Sequence, residues 1–322
     1  MNENLNRISR IGLVPLGWGE PPPAAVPLGR ARARGGTPVA EVTFRTAAAR
    51  EAIAAMSREV PELLVGAGTV HTVDQAAQAV EAEARFIVTP GYNPAVISWC
   101  LDHGVEVLPG TVSPADVEGA LSFGLSVCKF FPAEAYGGVK TLKALAGPYA
   151  GVKFMPTGGV NAGNMRDYLD LPNVAAVGGS FMLPDALVKA RDWEGVAALC
   201  RDTVKKMLGF SLLHVGINPR EGEEPRGTAG RLAEIFGLEV RETPRAWYAG
   251  EGFEAMKQQG PGAMGHIGVG TLDLERAVAY FEARGIHFRP ESLRRDGRGR
   301  LTGAVYFQEE VGGFAIHLIS LG

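Results

Sequence analysis

The segment SVCKFFPAEAYGG, residues 126–138, places Lys129 inside an apolar run. Burying an ammonium group in such surroundings is costly unless the group is neutral or paired. We expect desolvation to lower the pKa of this lysine, and its free amine could then attack a ketone to form an iminium, which acts as an electron sink. The residue and its context therefore predict Schiff-base chemistry at Lys129.

Two more charged residues lie in the segment AEVTFRT, where Glu41, Thr43 and Arg45 alternate onto one face of a predicted strand. Cleavage of a bond beside an iminium needs a positioned acid or base, and Glu41 is the candidate. Arg45 offers a bidentate fork for the carboxylate of a 2-oxo acid. In the structural alternative, Glu41 and Arg45 form a core ion pair and Lys129 extends to the surface. Because buried charges rarely add stability, we favour the catalytic hypothesis.

Eight short apolar segments, separated by helical patterns, must position these residues. The segments are IGLVPL (11–16), VAEVTF (39–44), LLVGAG (63–68), FIVTPG (86–91), VEVLPG (105–110), SVCKFF (126–131), GVKFMP (151–156) and VAAVGG (174–179). Near-continuous apolar strands alternating with helices indicate a parallel sheet covered by helices. Eight such units predict a (β/α)8 TIM barrel; a doubly wound sheet is the alternative, but no GxGxxG follows the first strand. A single last helix, residues 184–208, is expected to close this domain, which spans residues 1–207.

Active sites of such barrels lie at the carboxyl ends of the strands, and polar residues concentrate there in this sequence. Lys129 belongs to the sixth segment, whereas the rival nucleophile Lys153 stands near the start of the seventh and is expected towards the opposite end. The seventh and eighth segments run into PTGGV and GGS, which expose backbone N–H groups suited to a phosphate. The alternative is that each glycine pair only makes a turn.

With these residues assembled, the first domain resembles the 2-keto-3-deoxy-6-phosphogluconate (KDPG) aldolase family. The matching segments, within residues 10–207, are AEVTFRT, VGAGTV, TPGYNP, PGTVSPAD, KFFPAEAYGGVKTLKALAGP, FMPTGGV and VGGSFM. The resemblance implies a class I aldolase that needs no metal cofactor and is usually a homotrimer. It implies reversible cleavage of KDPG to pyruvate and glyceraldehyde 3-phosphate, and activity on 4-hydroxy-2-oxoglutarate, which gives pyruvate and glyoxylate.

The resemblance also assigns roles to individual residues. Lys129 would form the Schiff base with pyruvate, and Glu41 would shuttle protons. The remaining positions would bind substrate: Arg45, Thr69, Pro90 and Thr157 at the pyruvate carboxylate, and Gly158, Gly159, Gly179 and Ser180 at the phosphate. The chain departs from the family after the first strand, where three prolines at 21–23 suit a loop or the first turn of a helix.

The composition changes after the barrel, where four of the six histidines lie: His214, His266, His287 and His317. The segment LLHVGIN (212–218) is repeated loosely as MGHIGVG (264–270), and a helical pattern follows each copy. This repetition predicts a strand–helix–strands unit used twice.

Residues 211–322 resemble the vicinal oxygen chelate superfamily, which includes glyoxalase I and extradiol dioxygenases. The resemblance implies an α+β domain of paired βαβββ modules around a divalent metal. His214 and His266 would be its ligands on the first strands, and His317 its ligand on the last strand. In the first module, Met256 aligns with this last position, and Glu254 lies two residues away. The alternatives are core histidines or a non-catalytic binding or oligomerisation module.

The totals are those of an ordinary globular protein: 322 residues, 46% hydrophobic, 21% charged, with a formal net charge of −3. They predict no nucleic-acid or membrane partner, and the basic run RARAR at 30–34 is interpreted as a solvated helix face. We find neither a signal-peptide pattern nor an apolar run near the ~18 residues of a membrane helix, and we expect a cytoplasmic protein. Three cysteines without CxxC spacing predict no disulfide framework.

Three hypotheses of function follow. We favour a class I aldolase acting on a phosphorylated 2-oxo acid, with an accessory second domain. In the second hypothesis, the C-terminal domain is a metal-dependent lyase or dioxygenase and the barrel is a scaffold. In the third, the barrel is a keto-acid-sensing binding protein, although a sensor needs no Schiff-base lysine.

Overall fold

The computed structural model describes residues 3–322, and the chain forms two compact units, Met1–Lys206 and Met207–Gly322. The first unit contains nine strands: β1 Leu13–Trp18, β2 Val39–Thr43, β3 Leu64–Gly68, β4 Phe86–Val88, β5 Glu106–Leu108, β6 Gly110–Thr111, β7 Val127–Phe130, β8 Lys153–Pro156 and β9 Val177–Gly179. Its helices are α1 Glu3–Ile11, α2 Pro22–Arg34, α3 Ala49–Glu59, α4 Val73–Glu81, α5 Pro94–Asp102, α6 Pro114–Ser122, α7 Gly138–Leu145, α8 Met165–Leu169 and α9 Asp185–Lys189. A tenth helix, α10 Trp193–Leu208, crosses the boundary between the units.

The strands of the first unit form a curled parallel sheet. One run of strands has the order β5-β4-β3-β2-β1-β9, and a second has the order β6-β7-β8. Only Pro109 separates β5 from β6, and an isolated parallel bridge between Thr157 and Gly178 joins the β8 side to the β9 side. The strands alternate with helices, as expected for an α/β fold of this kind.

Apolar side chains fill the interior of this sheet. The buried cluster comprises Ile8, Val14, Val39, Leu64, Phe86, Val88, Leu108, Val127, Met155, Ala175 and Ala176. Ile8 comes from α1, a helix that the sequence pattern did not predict. Glu41 and Lys129 lie two residues after Val39 and Val127, so their side chains share the inward face of the sheet.

Three helical features differ from the sequence-based expectations or refine them. The predicted last helix is two helices, α9 and α10, interrupted at Arg191, whose φ is 55°. Asp192 then accepts a hydrogen bond from the amide of Gly195 over 2.9 Å, which is the arrangement of a helix start. Pro21 is the N-cap residue of α2, and Pro22 and Pro23 are its first two residues, where a missing N–H costs nothing.

The basic run in α2 is not a wholly solvated face, contrary to expectation. Arg30 and Arg34 are exposed, but Arg32 is fully buried, and its three guanidinium nitrogens have no hydrogen-bond partner among the described residues. Burial lowers the pKa of Arg32 to about 10. A carbon added at Gly17 on β1 would lie 2.5 Å from this guanidinium, so the glycine provides the space that Arg32 occupies.

The second unit is rich in sheet, in agreement with an α+β fold. Its strands are β10 Ser211–Ile217, β11 Val240–Glu242, β12 Ala246–Ala249, β13 Phe253–Met256, β14 Gly265–Thr271, β15 Val305–Val311 and β16 Phe314–Ser320. Two helices accompany them, α11 Pro225–Phe236 and α12 Leu274–Glu282. The sheet order is β11-β12-β13-β10-β14-β16-β15, with the antiparallel pair β10 and β14 near the middle.

Within residues 3–322, no helix has both the length and the apolar character required to cross a membrane.

Candidate functional site

Lys129 on β7 and Glu41 on β2 meet in the interior of the first unit. The Lys129 Nζ donates a hydrogen bond to Glu41 Oε1 over 3.2 Å, and the two side chains are 4% and 0% exposed. The backbone of Lys129 is fixed on both sides, because its amide donates to the carbonyl of Pro109 and its carbonyl accepts from the hydroxyl of Thr111. Glu41 therefore pairs with the lysine. The structural alternative required an ion pair between Glu41 and Arg45, which is not observed among the described residues.

The surroundings of Glu41 leave one carboxylate oxygen free. A carbon added at Gly68 would lie 2.2 Å from Glu41 Oε1, so only glycine at this position accommodates the carboxylate. Glu41 Oε2 is buried and has no hydrogen-bond partner among residues 3–322. The Phe131 ring lies 5.1 Å from the Lys129 Nζ and covers the ammonium group. One oxygen thus holds the lysine while the other remains available to a substrate or a proton.

Arg45 lies just beyond the end of β2 and is exposed. Its guanidinium carbon stacks 4.9 Å from the ring centre of Trp18, which ends the neighbouring strand β1. Trp18 is 43% exposed and interacts with the carboxylate of Asp185. Trp18 was not among the residues predicted from the sequence, although an aromatic residue just after the first predicted strand was an available signal.

Three further residues predicted to bind substrate lie just after the strands β3, β4 and β8. Thr69 follows β3 with a φ of 57°, a strained conformation for a β-branched residue. Thr157 follows β8, is 5% exposed, and its hydroxyl has no partner among the described residues. Pro90 follows β4 and is half-buried. All three therefore lie at the carboxyl ends of the parallel strands, on the side predicted for the site.

The predicted phosphate residues lie after β8 and at the end of β9. Gly158 and Gly159 have φ values of 96° and 83°, a conformation that other residues adopt only with strain. Gly179 ends β9, and Ser180 follows it with an exposed side chain. The two loops are neighbours because the Thr157–Gly178 bridge joins their strands.

The rival lysine is engaged elsewhere. Lys153 begins β8, whereas Thr157 follows the other end of the same strand. Its Nζ donates to the backbone carbonyl of Pro172. Lys153 therefore does not share the site of Lys129 and Glu41.

The profile of the family described as "Aldolase: KDPG and KHG aldolase" matches residues 8–199, more than half of the chain. The chain belongs to the KDPG and KHG aldolase family. Its KDPG-aldolase-like region lies within the first unit, which contains the Lys129–Glu41 pair.

Relatives of known name agree with this assignment. A 2-dehydro-3-deoxy-phosphogluconate aldolase of Treponema pallidum is 48% identical over 198 residues, which cover 62% of this chain and 94% of the relative. A KHG/KDPG aldolase of Escherichia coli is 42% identical over 181 residues, or 56% of this chain and 85% of that one. A crystal structure of KDPG aldolase from Legionella pneumophila, with pyruvate captured at low pH as a covalent carbinolamine intermediate, superposes with a TM-score of 0.60. It is 36% identical and covers 62% of this chain and 97% of that one.

Outside the region that matches the aldolase family, three histidines of the second unit meet on one face of its sheet. His214 on β10, His266 on β14 and His317 on β16 each offer a ring nitrogen, and these atoms lie within 4.8 Å of one another. The ring centres are 5.2 Å apart in all three pairs. A carboxylate completes the cluster, because Glu254 Oε2 lies 3.1 Å from His266 Nε2 and 3.8 Å from His214 Nε2.

The position of Glu254 corrects the alignment made from the sequence. Gly216 pairs with Glu254 on one side of the sheet, and Gly268 pairs with His317 on the other. Glu254, and not Met256, is therefore the counterpart of His317. The register between paired strands shows which residue is the counterpart of His317. An alignment of two short strand sequences carries no information about this register.

Several buried nitrogens of the cluster lack partners. His317 is 2% exposed, and neither of its ring nitrogens has a hydrogen-bond partner among residues 3–322; the same holds for His266 Nδ1. Burial, followed by the neighbouring imidazoles, lowers the pKa of His317 to about 3, and the pKa of His214 is lowered for the same reasons. These two imidazoles are therefore neutral at pH 7, which is the form that binds a metal.

Two glycines make room for the imidazoles. A carbon added at Gly216 would lie 2.0 Å from the His266 ring, and one added at Gly268 would lie 2.4 Å from the His214 ring. The fourth histidine of this unit, His287, is exposed and lies outside the cluster.

Proposed function

We propose that the first unit catalyses reversible cleavage of KDPG to pyruvate and glyceraldehyde 3-phosphate, with Lys129 as the Schiff-base residue. The observation that carries this proposal is the buried Lys129–Glu41 pair at 3.2 Å, within a chain of the KDPG and KHG aldolase family. The same chemistry would cleave 4-hydroxy-2-oxoglutarate to pyruvate and glyoxylate. A keto-acid sensor would need no acid/base group beside the lysine, which argues against that alternative.

The contact between Lys129 and Glu41 provides the proton transfers of the reaction. Transfer of a proton from Nζ to the carboxylate frees the amine, which attacks C2 of the substrate to form a carbinolamine. Protonation of the carbinolamine hydroxyl by Glu41 expels water and leaves an iminium. Glu41 then removes the proton of the C4 hydroxyl, the C3–C4 bond breaks, and its electron pair moves into an enamine. Protonation at C3 and hydrolysis of the iminium release pyruvate and restore the amine.

The surrounding residues would orient the substrate. Arg45 and Thr69 would bind its carboxylate, with Thr157 and Pro90 lining the same end of the strands. The phosphate would lie on the loops that carry Gly158, Gly159, Gly179 and Ser180, where Gly159 and Ser180 are exposed and backbone N–H groups suit an anion. We further propose that the curled sheet closes as a (β/α)8 barrel, supported by the Thr157–Gly178 bridge. The trimer typical of the family is proposed by resemblance.

Trapping with pyruvate and sodium borohydride tests this proposal. We expect one reduced pyruvate adduct per chain, located on Lys129 by peptide mass spectrometry. Lys129→Met should abolish the adduct, and the matched control Lys153→Met should retain it. An adduct on Lys153, or none at all, would overturn the assignment of the site.

We also propose that the second unit holds a divalent transition metal through His214, Glu254, His266 and His317. The donor set fits such an ion: three imidazoles and a carboxylate, with buried nitrogens that bond to no described residue. The symmetric placement of these residues supports paired modules that would each contribute one donor from a first strand and one from a last strand. The first module has the predicted βαβββ order (β10, α11, β11, β12, β13), whereas within residues 3–322 the second has two strands after its helix (β14, α12, β15, β16). When bound, the metal would act as a Lewis acid on an oxygen-donor ligand, as a lyase or dioxygenase requires.

Metal analysis of the full chain tests the second proposal. We expect about one ion per chain after loading with Zn²⁺ or Co²⁺ and gel filtration, as is usual for a four-donor site. His317→Ala should lose the ion, whereas His287→Ala, a histidine of the same unit outside the cluster, should keep it. Equal metal content in both variants would rule out this centre.

A further inference from the structure

Two rows of side chains cross the sheet of the second unit in matching order. The first row is Arg241, Tyr248, Glu254 and Gly216, connected by the pairings of β11 with β12, β12 with β13, and β13 with β10. The second row is Arg289, Tyr306, His317 and Gly268, connected by the hydrogen bond from the Arg289 amide to the Tyr306 carbonyl and by the pairings of β15, β16 and β14. Each row therefore reads arginine, tyrosine, metal-ligand candidate, glycine.

The arginine covers the tyrosine in both rows. The Arg241 guanidinium carbon lies 4.7 Å from the ring centre of Tyr248, and that of Arg289 lies 5.7 Å from the ring centre of Tyr306. Residues paired across neighbouring strands project from the same face of a sheet. Both Arg–Tyr pairs consequently flank the cluster of donors, one from each side.

The rows differ in what the tyrosine meets. In the first row, the hydroxyl of Tyr248 faces the carboxylate of Glu254 as a hydrogen-bond donor. In the second row, the neighbour is His317, whose ring centre lies 4.7 Å from the ring centre of Tyr306. A hydrogen bond from the Tyr306 hydroxyl to another residue is not found within residues 3–322. The tyrosine hydroxyl of the first row thus donates to a carboxylate, whereas that of the second row donates to none among the described residues, although Glu310 lies 3.6 Å from Arg289 and the charge of Glu254 acts on Tyr306 as well.

We propose that Tyr306 and Arg289 bind the carboxylate of a small acid that coordinates the metal of the second unit. This inference rests on the proposed metal centre. The ligand carboxylate would stand beside Tyr306 as the Glu254 carboxylate stands beside Tyr248, and one of the two unpartnered ring nitrogens of His317 would bind the metal. The ligand class is a short 2-oxo or 2-hydroxy acid, because one oxygen must reach the metal while the carboxylate reaches the tyrosine.

The charges around Arg289 are compatible with a bound anion. Its one ion-pair partner within residues 3–322 is Glu310, at 3.6 Å, which is longer than a charge-assisted hydrogen bond. Its side chain is 28% exposed, whereas Arg241 is 54% exposed and pairs at 3.7 Å with the almost fully exposed Glu251. Arg289, beside the tyrosine whose hydroxyl has no partner among the described residues, is therefore more enclosed than Arg241. An ion pair formed by Arg289 would be the stronger one, because water is excluded more fully there.

Titration of the Co²⁺-loaded full chain with pyruvate tests this inference. The protein carries Lys129→Ala, so that the first unit cannot form an iminium, and the Co²⁺ absorption bands report only on the second unit. We expect pyruvate to change these bands and pyruvamide, which lacks the carboxylate, to leave them unchanged. Tyr306→Phe and Arg289→Gln should each weaken pyruvate binding by about tenfold, the loss of one good hydrogen bond to an anion, with Co²⁺ affinity unchanged.

Tyr248→Phe is the matched control, since it removes the same atom from the other row. We expect it to lower the affinity for Co²⁺ through Glu254 and to change pyruvate affinity of the loaded protein by less than twofold. Equal pyruvate affinity in the parent protein, Tyr306→Phe and Arg289→Gln, or equal binding of pyruvamide, overturns the inference while the metal centre stands. Absence of Co²⁺ bands in the parent protein overturns both.

Discussion

The two candidate sites satisfy their buried polar groups in opposite ways. In the first unit, Lys129 and Glu41 come from strands far apart in the sequence and neutralise each other in the interior. In the second unit, three neighbouring histidines place nitrogens together, and several of these nitrogens bond to no described residue. A buried polar group without a partner is costly, and both sites contain such groups: Glu41 Oε2 and the Thr157 hydroxyl in the first, and the ring nitrogens of His317 in the second. The difference is that the charged pair of the first site is already complete within the chain, whereas the imidazoles of the second have no counterpart among the described residues at their free nitrogens.

This difference indicates how each site would work. A lysine and a carboxylate in contact can exchange a proton and regenerate themselves with substrate alone. His214 and His317, whose pKa values are lowered, do not take up a second ring proton at pH 7, and these imidazoles become useful when a cation organises them. The proposed reaction of the first unit would therefore need only its own residues and the substrate, whereas the proposed function of the second unit would depend on the cation that it binds.

Removal of the lysine should give the largest difference between the effects on the two units, since cleavage activity should be lost while metal binding is kept. Lys129→Met should reduce KDPG cleavage by roughly 10⁴-fold or more, the scale of loss when a covalent nucleophile is removed. Pyruvate release, coupled to lactate dehydrogenase, measures the rate. The Co²⁺ content of the second unit should remain that of the parent protein. Lys153→Met is the control and should keep full activity.

Glu41→Gln should have the next largest effect. The amide preserves the size of the side chain but cannot take the proton, so kcat should fall by about 10²–10⁴-fold. Borohydride should still trap pyruvate on Lys129, at a lower rate, because the nucleophile remains. A kcat within tenfold of the parent value would show that another group carries the protons.

Two glycine substitutions sharpen the comparison, since each glycine makes room for one site. In Gly68→Ala, the added carbon would displace Glu41, and we expect a lower kcat with unchanged Co²⁺ affinity. In Gly268→Ala, it would displace the His214 ring, and we expect about 10–100-fold weaker Co²⁺ binding with unchanged kcat. Gly227→Ala, where the added carbon meets open space, serves as the control for both. If either substitution impaired both properties, the two sites would not be independent.

Thiol labelling gives the smallest expected signal. Burial raises the pKa of both Cys100 and Cys128 to about 12, so the reactive thiolate is a small fraction at pH 8 and grows only as the pH approaches that value. We expect slow reaction of the native protein with a thiol reagent such as DTNB at pH 8 and fast reaction in urea. All three cysteines lie in the first unit, so removal of metal with EDTA should leave this rate unchanged. A faster reaction after EDTA would show that the second unit stabilises the first.

Sequence patterns predicted much of the first unit because its signals are local. The strand segments are short and apolar, and a lysine within one of them is conspicuous. The same patterns missed α1, the role of Trp18 beside Arg45 and the break at Arg191. They also placed Arg32 in solvent, because alternating arginine and alanine on a helix does not reveal which side faces the sheet.

The second unit was harder to predict because its chemistry depends on strand register. The sequence identified His214, His266 and His317, yet it aligned Met256 with the position that Glu254 occupies. A shift of two residues keeps the side chain on the same face and moves it by roughly 6–7 Å. Nor did the sequence connect Tyr248 with Tyr306, since the equivalence of these residues exists only in the paired strands.

The four proposed donors of the second unit stand on four different strands, and this has a mechanical consequence. A metal held by them would be a cross-link between β10, β13, β14 and β16, made and broken by binding rather than by redox chemistry. Because the four donors are brought together only in the folded sheet, the metal would bind the folded state and not the unfolded chain. Its contribution to the free energy of unfolding would therefore grow with the concentration of free metal. The centre of the sheet would thus contain a reversible cross-link, and its occupancy in the cell would depend on the metal supply.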